Sequence, residues 1–239
     1  MRKLSKSDFR FWVMICRIIF IPVLFFELWS VATSNSMMEL FSKPLLMTVL
    51  LFVFYFATRN LNAVFNSWFI TALIFSFLGD VFLLFSHDFE KGFIFGLAAF
   101  LITQLSYFIA FSLAARNYKG PYILFRYPWL ILVLVAYGLL LLWQLFAGLG
   151  DMLLPVVIYS IFLLLMVLAA LNLGVKRKIW TLPLGAILFL FSDSLLAIDH
   201  FTQMYDTHLL AFIVMLLYGS GQYWIVEGML KVNKRIQES

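Results

Sequence analysis

Two aspartates interrupt long apolar runs in matched surroundings. Asp80 stands in Phe75-Ser76-Phe77-Leu78-Gly79-Asp80-Val81-Phe82-Leu83-Leu84, and Asp193 in Leu188-Phe189-Leu190-Phe191-Ser192-Asp193-Ser194-Leu195-Leu196-Ala197. Aligned on the carboxyls, each has a small residue just before it (Gly79, Ser192) and aromatics about one helical turn back. A carboxyl in hydrocarbon is costly, so each one calls for a partner or a task. Two carboxyls in one low-dielectric site can divide the work of acid–base chemistry. One stays protonated as the acid, while the other stays ionised to activate water or stabilise a cation. Coupling makes titration a property of the pair, so the sequence leaves open which is which. The structural alternative, a protonated group bonded to a neighbouring helix, suits one isolated aspartate better than two in register.

Other polar residues fall in the same half of the apolar segments. Lys43 precedes Pro44 at the start of one run, and Pro44 suits a first helical turn. Glu27 lies near the end of the first run, and Tyr159 follows Pro155 by one turn. Gln104 and Tyr107 share one segment, and Tyr218, Gln222 and Tyr223 share another, with Tyr218 and Gln222 spaced i,i+4 on one face. A cavity lined by both carboxyls, the lysine, tyrosines and amides is the expected use of this asymmetry. Arg17 and Glu27 are roughly 15 Å apart along one helix and so do not pair with each other; each is expected to snorkel or to take an interhelical bond. Tyrosines at helical spacing also serve as interhelical glue. Gly79, Gly96, Gly185 and Gly219 read as close-packing positions. His87, His200 and His208 fall in or beside loops with no ligand partner at i+4, so no metal is expected. Neither a Gly-x-Ser-x-Gly elbow, a His-Glu-x-x-His pair nor a phosphate-binding glycine loop occurs. No cofactor is called for.

The elements that must position these groups follow from composition. Of 239 residues, 64% are apolar and 12% charged, and 28 are phenylalanine. Mean hydropathy is +1.00. A soluble domain is nearer half apolar and a quarter charged, so a water-soluble globule, a disordered chain and a nucleic-acid binder are excluded despite a net charge of +5. Cys16 is the single cysteine, which rules out an intrachain disulfide. Apolar stretches at 11–31, 44–58, 68–86, 92–115, 127–147, 152–174, 180–199 and 208–230 approach the roughly 20 residues that cross a bilayer as a helix. Between them lie turn formers such as Asn60-Leu61-Asn62, Lys119-Gly120-Pro121 and Gly148-Leu149-Gly150. No period-two alternation supports barrel strands. The fold class predicted is all-α: a single transmembrane domain over 1–239, a polytopic bundle of eight spans.

Charge sets its orientation. With the amino terminus inside, the cytoplasmic side receives 14 of 17 Lys and Arg: Arg2, Lys3, Lys6 and Arg10; Arg59; Arg116, Lys119 and Arg126; Lys176 to Lys178; and Lys231, Lys234 and Arg235. Outside are Lys43 and Lys91, with Glu39, Asp88, Glu90, Asp151, Asp199 and Asp206; Arg17 lies within the first span. Both termini are therefore expected in the cytoplasm. Trp12, Trp29, Trp68, Trp129, Trp143 and Trp180 all lie near span ends, where amphipathic rings favour the headgroup layer. The first span, with its charges and no small-residue cleavage site, is read as retained. Helices 3 and 7 cross in the same direction, which suggests a parallel four-plus-four repeat. Asp80 lies roughly 9 Å from the outer helix end, and Asp193 at a similar depth.

In their order across eight spans, these residues resemble the YhhN-like lysoplasmalogenases. The likeness rests on Lys43-Pro44-Leu45, Leu78-Gly79-Asp80-Val81, Phe95-Gly96-Leu97-Ala98-Ala99-Phe100, Pro155 with Tyr159, Gly185-Ala186 through Phe189 to Ser192-Asp193, and Tyr218 to Gln222. One position departs: Gln104 stands where the family usually carries histidine, and glutamine hydrogen-bonds but cannot shuttle a proton near neutral pH. The resemblance implies hydrolysis of the vinyl ether bond of lysoplasmalogens to a fatty aldehyde and a glycerophospho-base. Protonating the β-carbon of a vinyl ether leaves an oxocarbenium-like cation, so the demand resembles glycoside hydrolysis with its two carboxyls. It assigns Asp80 and Asp193 to acid and base in some order, with Lys43 on the phosphate. Gln104, Tyr107, Tyr159, Ser192, Tyr218 and Gln222 would hold substrate or water. The partner is then a lysophospholipid drawn from the bilayer, and the expected location is a bacterial inner membrane. A proton-coupled transporter or lipid-binding protein is the other reading, since repeats with intramembrane carboxyls also build carriers. Against it, no span is broken by a central Gly-Pro pair.

Overall fold

The computed structural model describes residues 6–61, 63–86, 91–116, 123, 127–202 and 207–238. Arg2, Lys3, Asn62, His87, Asp88, Glu90, Lys119 to Pro121, Arg126 and Asp206 lie outside them. The described residues form eight α-helices and no strand: α1 Lys6–Ala32, α2 Ser36–Thr58, α3 Val64–Leu84, α4 Gly92–Arg116, α5 Trp129–Leu149, α6 Leu153–Arg177, α7 Thr181–Thr202 and α8 Thr207–Glu238. Six helical segments among the described residues are long and apolar enough to cross a membrane, and one of these, Trp129–Arg177, contains both α5 and α6. The protein is a multi-pass integral membrane protein.

Local chemistry explains the boundaries. Asn35 caps α2, its side chain accepting from Met38 N at 3.2 Å, and Glu39 sits in the first turn, where the helix dipole favours a carboxylate. The helix therefore starts upstream of Pro44. That corrects the reading of Pro44 as a first-turn residue: it lies inside α2. The apolar run begins at Met37-Met38, and Glu39 and Lys43 interrupt its composition without ending the helix. Between α5 and α6 the chain reverses through Gly150 (φ 45°, ψ −127°) and the 3-10 turn Gly150–Met152. Positive φ suits glycine. Gly138 and Leu164, equidistant from Asp151, then meet so closely that a Cβ on Gly138 would lie 2.8 Å from Leu164 Cδ1. The two helices are thus a hairpin. Helix α8 continues to Glu238, so Lys231, Lys234 and Arg235 are helical rather than a loose tail.

Helices α3 with α4, and α7 with α8, are the most extensively packed pairs. A circuit runs α1–α2–α3–α4–α6–α7–α8 and back to α1, while α5 lies against α6 and α7. Lipid is as apolar as a leucine side chain, so close packing and polar bonds must hold such helices together. Gly185 shows the packing: a Cβ there would stand 2.6 Å from Gly221 O and from Ile225 N, so the α7 and α8 backbones touch. The interior holds Phe54, Phe69, Tyr107 and Phe111, fully buried and in ring contact. The outside is apolar too, with Phe25, Phe41, Leu132 and Phe146 exposed, as lipid contact requires.

Polar bonds between helices include several that the sequence did not suggest. Arg17 on α1 donates through Nε to Tyr223 OH at 3.0 Å and pairs with Glu227 at 3.3 Å, and Lys231 reaches Glu227 at 2.6 Å. The half of the bundle that holds Arg17 therefore carries an ion cluster. It also carries Asn66 and Asn233, whose amides exchange bonds of 3.0 and 2.9 Å between α3 and α8. Glu27, fully buried, accepts from Ser42 of α2, an interhelical bond of the kind expected for it.

Candidate active site

Asp80 on α3 is buried, and Tyr218 on α8 donates to its Oδ2 at 2.7 Å. Ser76 Oγ lies 3.0 Å from Tyr218 OH, Gln222 Nε2 donates to Ser76 Oγ at 2.8 Å, and Tyr107 of α4 donates to Gln222 Oε1 at 2.7 Å. The i,i+4 spacing on both helices builds this ladder. Ser76 and Asp80 face Tyr218 and Gln222 rung by rung. All five side chains are buried.

Asp193 on α7 has a separate set of partners. Tyr159 of α6 donates to its Oδ2 at 2.5 Å, and Gln104 of α4 donates through Nε2 to the same oxygen at 3.1 Å. Oδ1 receives neither. Asp193, Tyr159, Ser160 and Ser194 are the polar part of a cavity of about 40 Å³ that is otherwise walled by apolar side chains. That space suits about one water molecule.

A larger hollow of about 580 Å³ lies above it, lined by Glu39 and Lys43 of α2, Ser86, Met152, and Asp199 and His200 of α7. Leu83, Phe93 and Leu196 border both spaces, so a thin apolar wall separates a charged vestibule from the chamber of Asp193. The exposed His200 ring stacks on Phe93 with centroids 3.5 Å apart. His208 lies elsewhere, its Nδ1 2.9 Å from Ser34 Oγ.

The two carboxyls do not border one common cavity, which corrects the expectation of a single hollow lined by both. Asp80 borders neither space. The reason is Phe100. Gly79 has no side chain, so the Phe100 ring lies where a Cβ would come within 2.7 Å. From there it meets Tyr218 edge-on at 6.0 Å and Phe189 at 6.4 Å. Phe100 lines the chamber and Tyr218 bonds Asp80, so these two packed rings fill the way from one to the other.

The other expected site residues divide accordingly. Gln104 and Tyr159 join Asp193, and Lys43 lines the vestibule. Tyr107, Tyr218 and Gln222 join Asp80 and line none of these spaces. Ser192 donates to Val214 O at 2.9 Å across the α7–α8 contact. Glu39, Asp199 and His200 were not read from the sequence as site residues. The i,i+4 spacing of Glu39 and Lys43, which puts both on one face of α2, was the available signal.

The YhhN family profile matches residues 38–229. The chain belongs to the YhhN family. No curated protein and no solved structure gave a match. In this YhhN protein the matched region opens in the first turn of α2 and closes within α8. It therefore contains Lys43, both aspartates and every hydrogen-bond partner described for them.

Proposed function

We propose that this YhhN protein is a membrane-embedded hydrolase that cleaves the vinyl ether bond of lysoplasmalogens, giving a fatty aldehyde and a glycerophospho-base. The observation that carries the reading is the apolar chamber lined by Asp193 and Tyr159, with Gln104 bonded to Asp193, beside a vestibule lined by Lys43. A charged mouth above an apolar chamber with one carboxyl matches a lipid with a phosphate at one end, a hydrocarbon chain at the other and an ether between.

In the proposed reaction the Asp193 carboxyl gives its proton to the vinyl β-carbon, and the electron pair of the double bond forms the new C–H bond. The resulting oxocarbenium ion takes up a water molecule at the α-carbon. One proton of that water passes to the Asp193 carboxylate, giving the hemiacetal. The hemiacetal then collapses as its hydroxyl proton moves to the glycerol oxygen, the C–O bond to glycerol breaks and the aldehyde C=O forms. Asp80, which lies outside the chamber, is the second carboxyl of the proposed pair and would act through its charge rather than by touching the reacting bond. Tyr159 and Gln104 orient Asp193 or the attacking water, and Lys43 receives the phosphate. Tyr218, Gln222 and Tyr107 hold Asp80.

The topology proposed with it has eight crossings and both termini cytoplasmic, which turns the vestibule to the non-cytoplasmic side of a bacterial inner membrane. The α3–α4 and α7–α8 pairs would correspond in a four-plus-four repeat. The deciding experiment supplies lysoplasmalogen to purified protein in liposomes and follows aldehyde by mass spectrometry, with Asp193→Asn alongside. Aldehyde from the natural protein and not from the variant supports the hydrolase. Unchanged lipid crossing the bilayer, with no aldehyde, supports a carrier instead.

A further inference from the structure

A third hollow, of about 230 Å³, lies between α5 and α7, lined on one side by Tyr137, Leu140 and Gln144 and on the other by Phe191, Leu195 and Ile198. Leu141 and Ser194 border this hollow and the Asp193 chamber alike. They are the partition between the two. Tyr137 on α5 donates to Ser194 Oγ at 2.7 Å, and Ser194 donates to Leu190 O of its own helix at 2.8 Å. The Tyr137–Ser194 hydrogen bond thus ties the α7 side of the partition to α5.

We infer that the α5–α7 hollow is a lateral portal for a lipid hydrocarbon chain, closed by Leu141 and latched by the Tyr137–Ser194 bond. The inference rests on the proposed reading of the substrate as a lipid cleaved beside Asp193. Three observations support it. The chamber, at about 40 Å³, holds a water-sized volume and no long chain, so a chain attached to the reacting ether must continue elsewhere. On one side lies a vestibule that carries Glu39, Lys43, Asp199 and His200 among apolar residues, which suits a headgroup better than the length of a chain. Sideways lies the α5–α7 hollow, larger than cavities of about 150 Å³ that take up benzene.

The surroundings fix the occupant. Leu140 is 63% exposed, Phe191 44% and the nearby Trp143 79%. In a membrane these side chains face lipid, so the chains nearest the hollow are alkyl chains. The helix that must yield is also the one the chemistry does not use. The Asp80 and Asp193 partners lie on α3, α4, α6, α7 and α8, and none lies on α5. A local parting of α5 from α7 at Leu141 therefore breaks no hydrogen bond to either carboxyl.

The test compares the natural protein with Leu141→Trp in lipid nanodiscs, using a long-chain lysoplasmalogen and a short-chain analogue. A tryptophan blocks the partition, so long-chain turnover is expected to fall about tenfold or more while short-chain turnover stays within about twofold. Equal loss on both chain lengths, or loss on neither, overturns the portal. Leu140→Trp, on the lipid side of the hollow and outside the chamber, should show the same chain-length discrimination in a site that tolerates bulk. A lysolipid with a photoreactive group at its chain end gives a readout independent of turnover. Labelling of α5 and α7 that Leu141→Trp suppresses supports the portal even if no aldehyde forms, a result that would reject only the hydrolase. Labelling confined to other helices overturns the portal even if aldehyde forms.

Discussion

Tyr159 on α6 and Asp193 on α7 meet at 2.5 Å, hydroxyl to carboxylate oxygen, and both line the chamber. Gln104 approaches the same oxygen, so Oδ2 is held from two helices while Oδ1 receives neither bond. An acid must be aimed, and this arrangement aims it: the occupied oxygen fixes the plane of the carboxyl, and the other is available to carry a transferable proton. Gln104 cannot take that proton near neutral pH, so it serves here as an orienting donor.

Asp193→Asn is expected to lower aldehyde release by about 10²- to 10⁴-fold, the usual contribution of a positioned acid. Tyr159→Phe removes the aim and keeps the acid, so its loss should be smaller, about tenfold, and should fall mainly on kcat. Steady-state kinetics on purified proteins, each checked for folding by its thermal transition, measure both. A Tyr159→Phe protein more impaired than Asp193→Asn would reverse the roles assigned to the two residues.

Gln222→Leu breaks the chain from Asp80 to Tyr107 between Ser76 and Tyr107, leaving the Tyr107 hydroxyl without its acceptor and Ser76 without the amide donor. The expected loss of stability is about 1–2 kcal/mol, in the range for buried and interhelical bonds. Unfolding in mixed micelles, followed by tryptophan fluorescence, gives the number. Because Gln222 does not line the chamber, the folded fraction should bind substrate with KM little changed.

Lys43→Gln should act in the opposite way. It removes charge from the vestibule and leaves the chamber intact, so KM is expected to rise by about tenfold with kcat preserved, the pattern for lost uniform binding. Added salt should raise KM for the natural protein and have less effect on the variant. Unchanged KM in the variant removes Lys43 from the phosphate site.

At the other end of the bundle, the Arg17–Glu227–Lys231 cluster separates stability from catalysis. Glu227 is 4% exposed at its side chain and Arg17 is 53% exposed. Arg17→Gln should therefore cost less than about 1 kcal/mol, as for a pair open on one side. Glu227→Leu leaves two cations facing each other without their shared carboxylate and should cost more, about 1–3 kcal/mol. Both proteins, once folded, should release aldehyde at the natural rate; thermal melts beside activity assays test this.

The helical architecture was legible because nothing else suits such a composition: long apolar runs broken by turn formers allow helices alone. Asp80 and Asp193 were legible because a charge inside such a run stands out, and their matched neighbours reinforced it. The start of α2 was not, because Glu39 and Lys43 break up the composition while the backbone, capped by Asn35, continues through them. Glu227 escaped notice because it precedes Lys231, Lys234 and Arg235 and reads as part of a charged tail until α1 is placed beside α8. The separation of Asp80 from the chamber was also hidden. It depends on Phe100, one of 28 phenylalanines, filling the place of a side chain that Gly79 lacks. Chain spacing carries no record of which ring fills which gap.

The backbone contact between α7 and α8 at Gly185 and Gly221 limits how this protein can breathe. Peptide groups in direct contact have no side-chain cushion between them, and any sliding would drive carbonyl into amide. The helix bearing Asp193 and the helix bearing Tyr218 therefore travel as one body. Whatever opens or shuts around the reacting bond must hinge on the opposite flank, against a stationary wall.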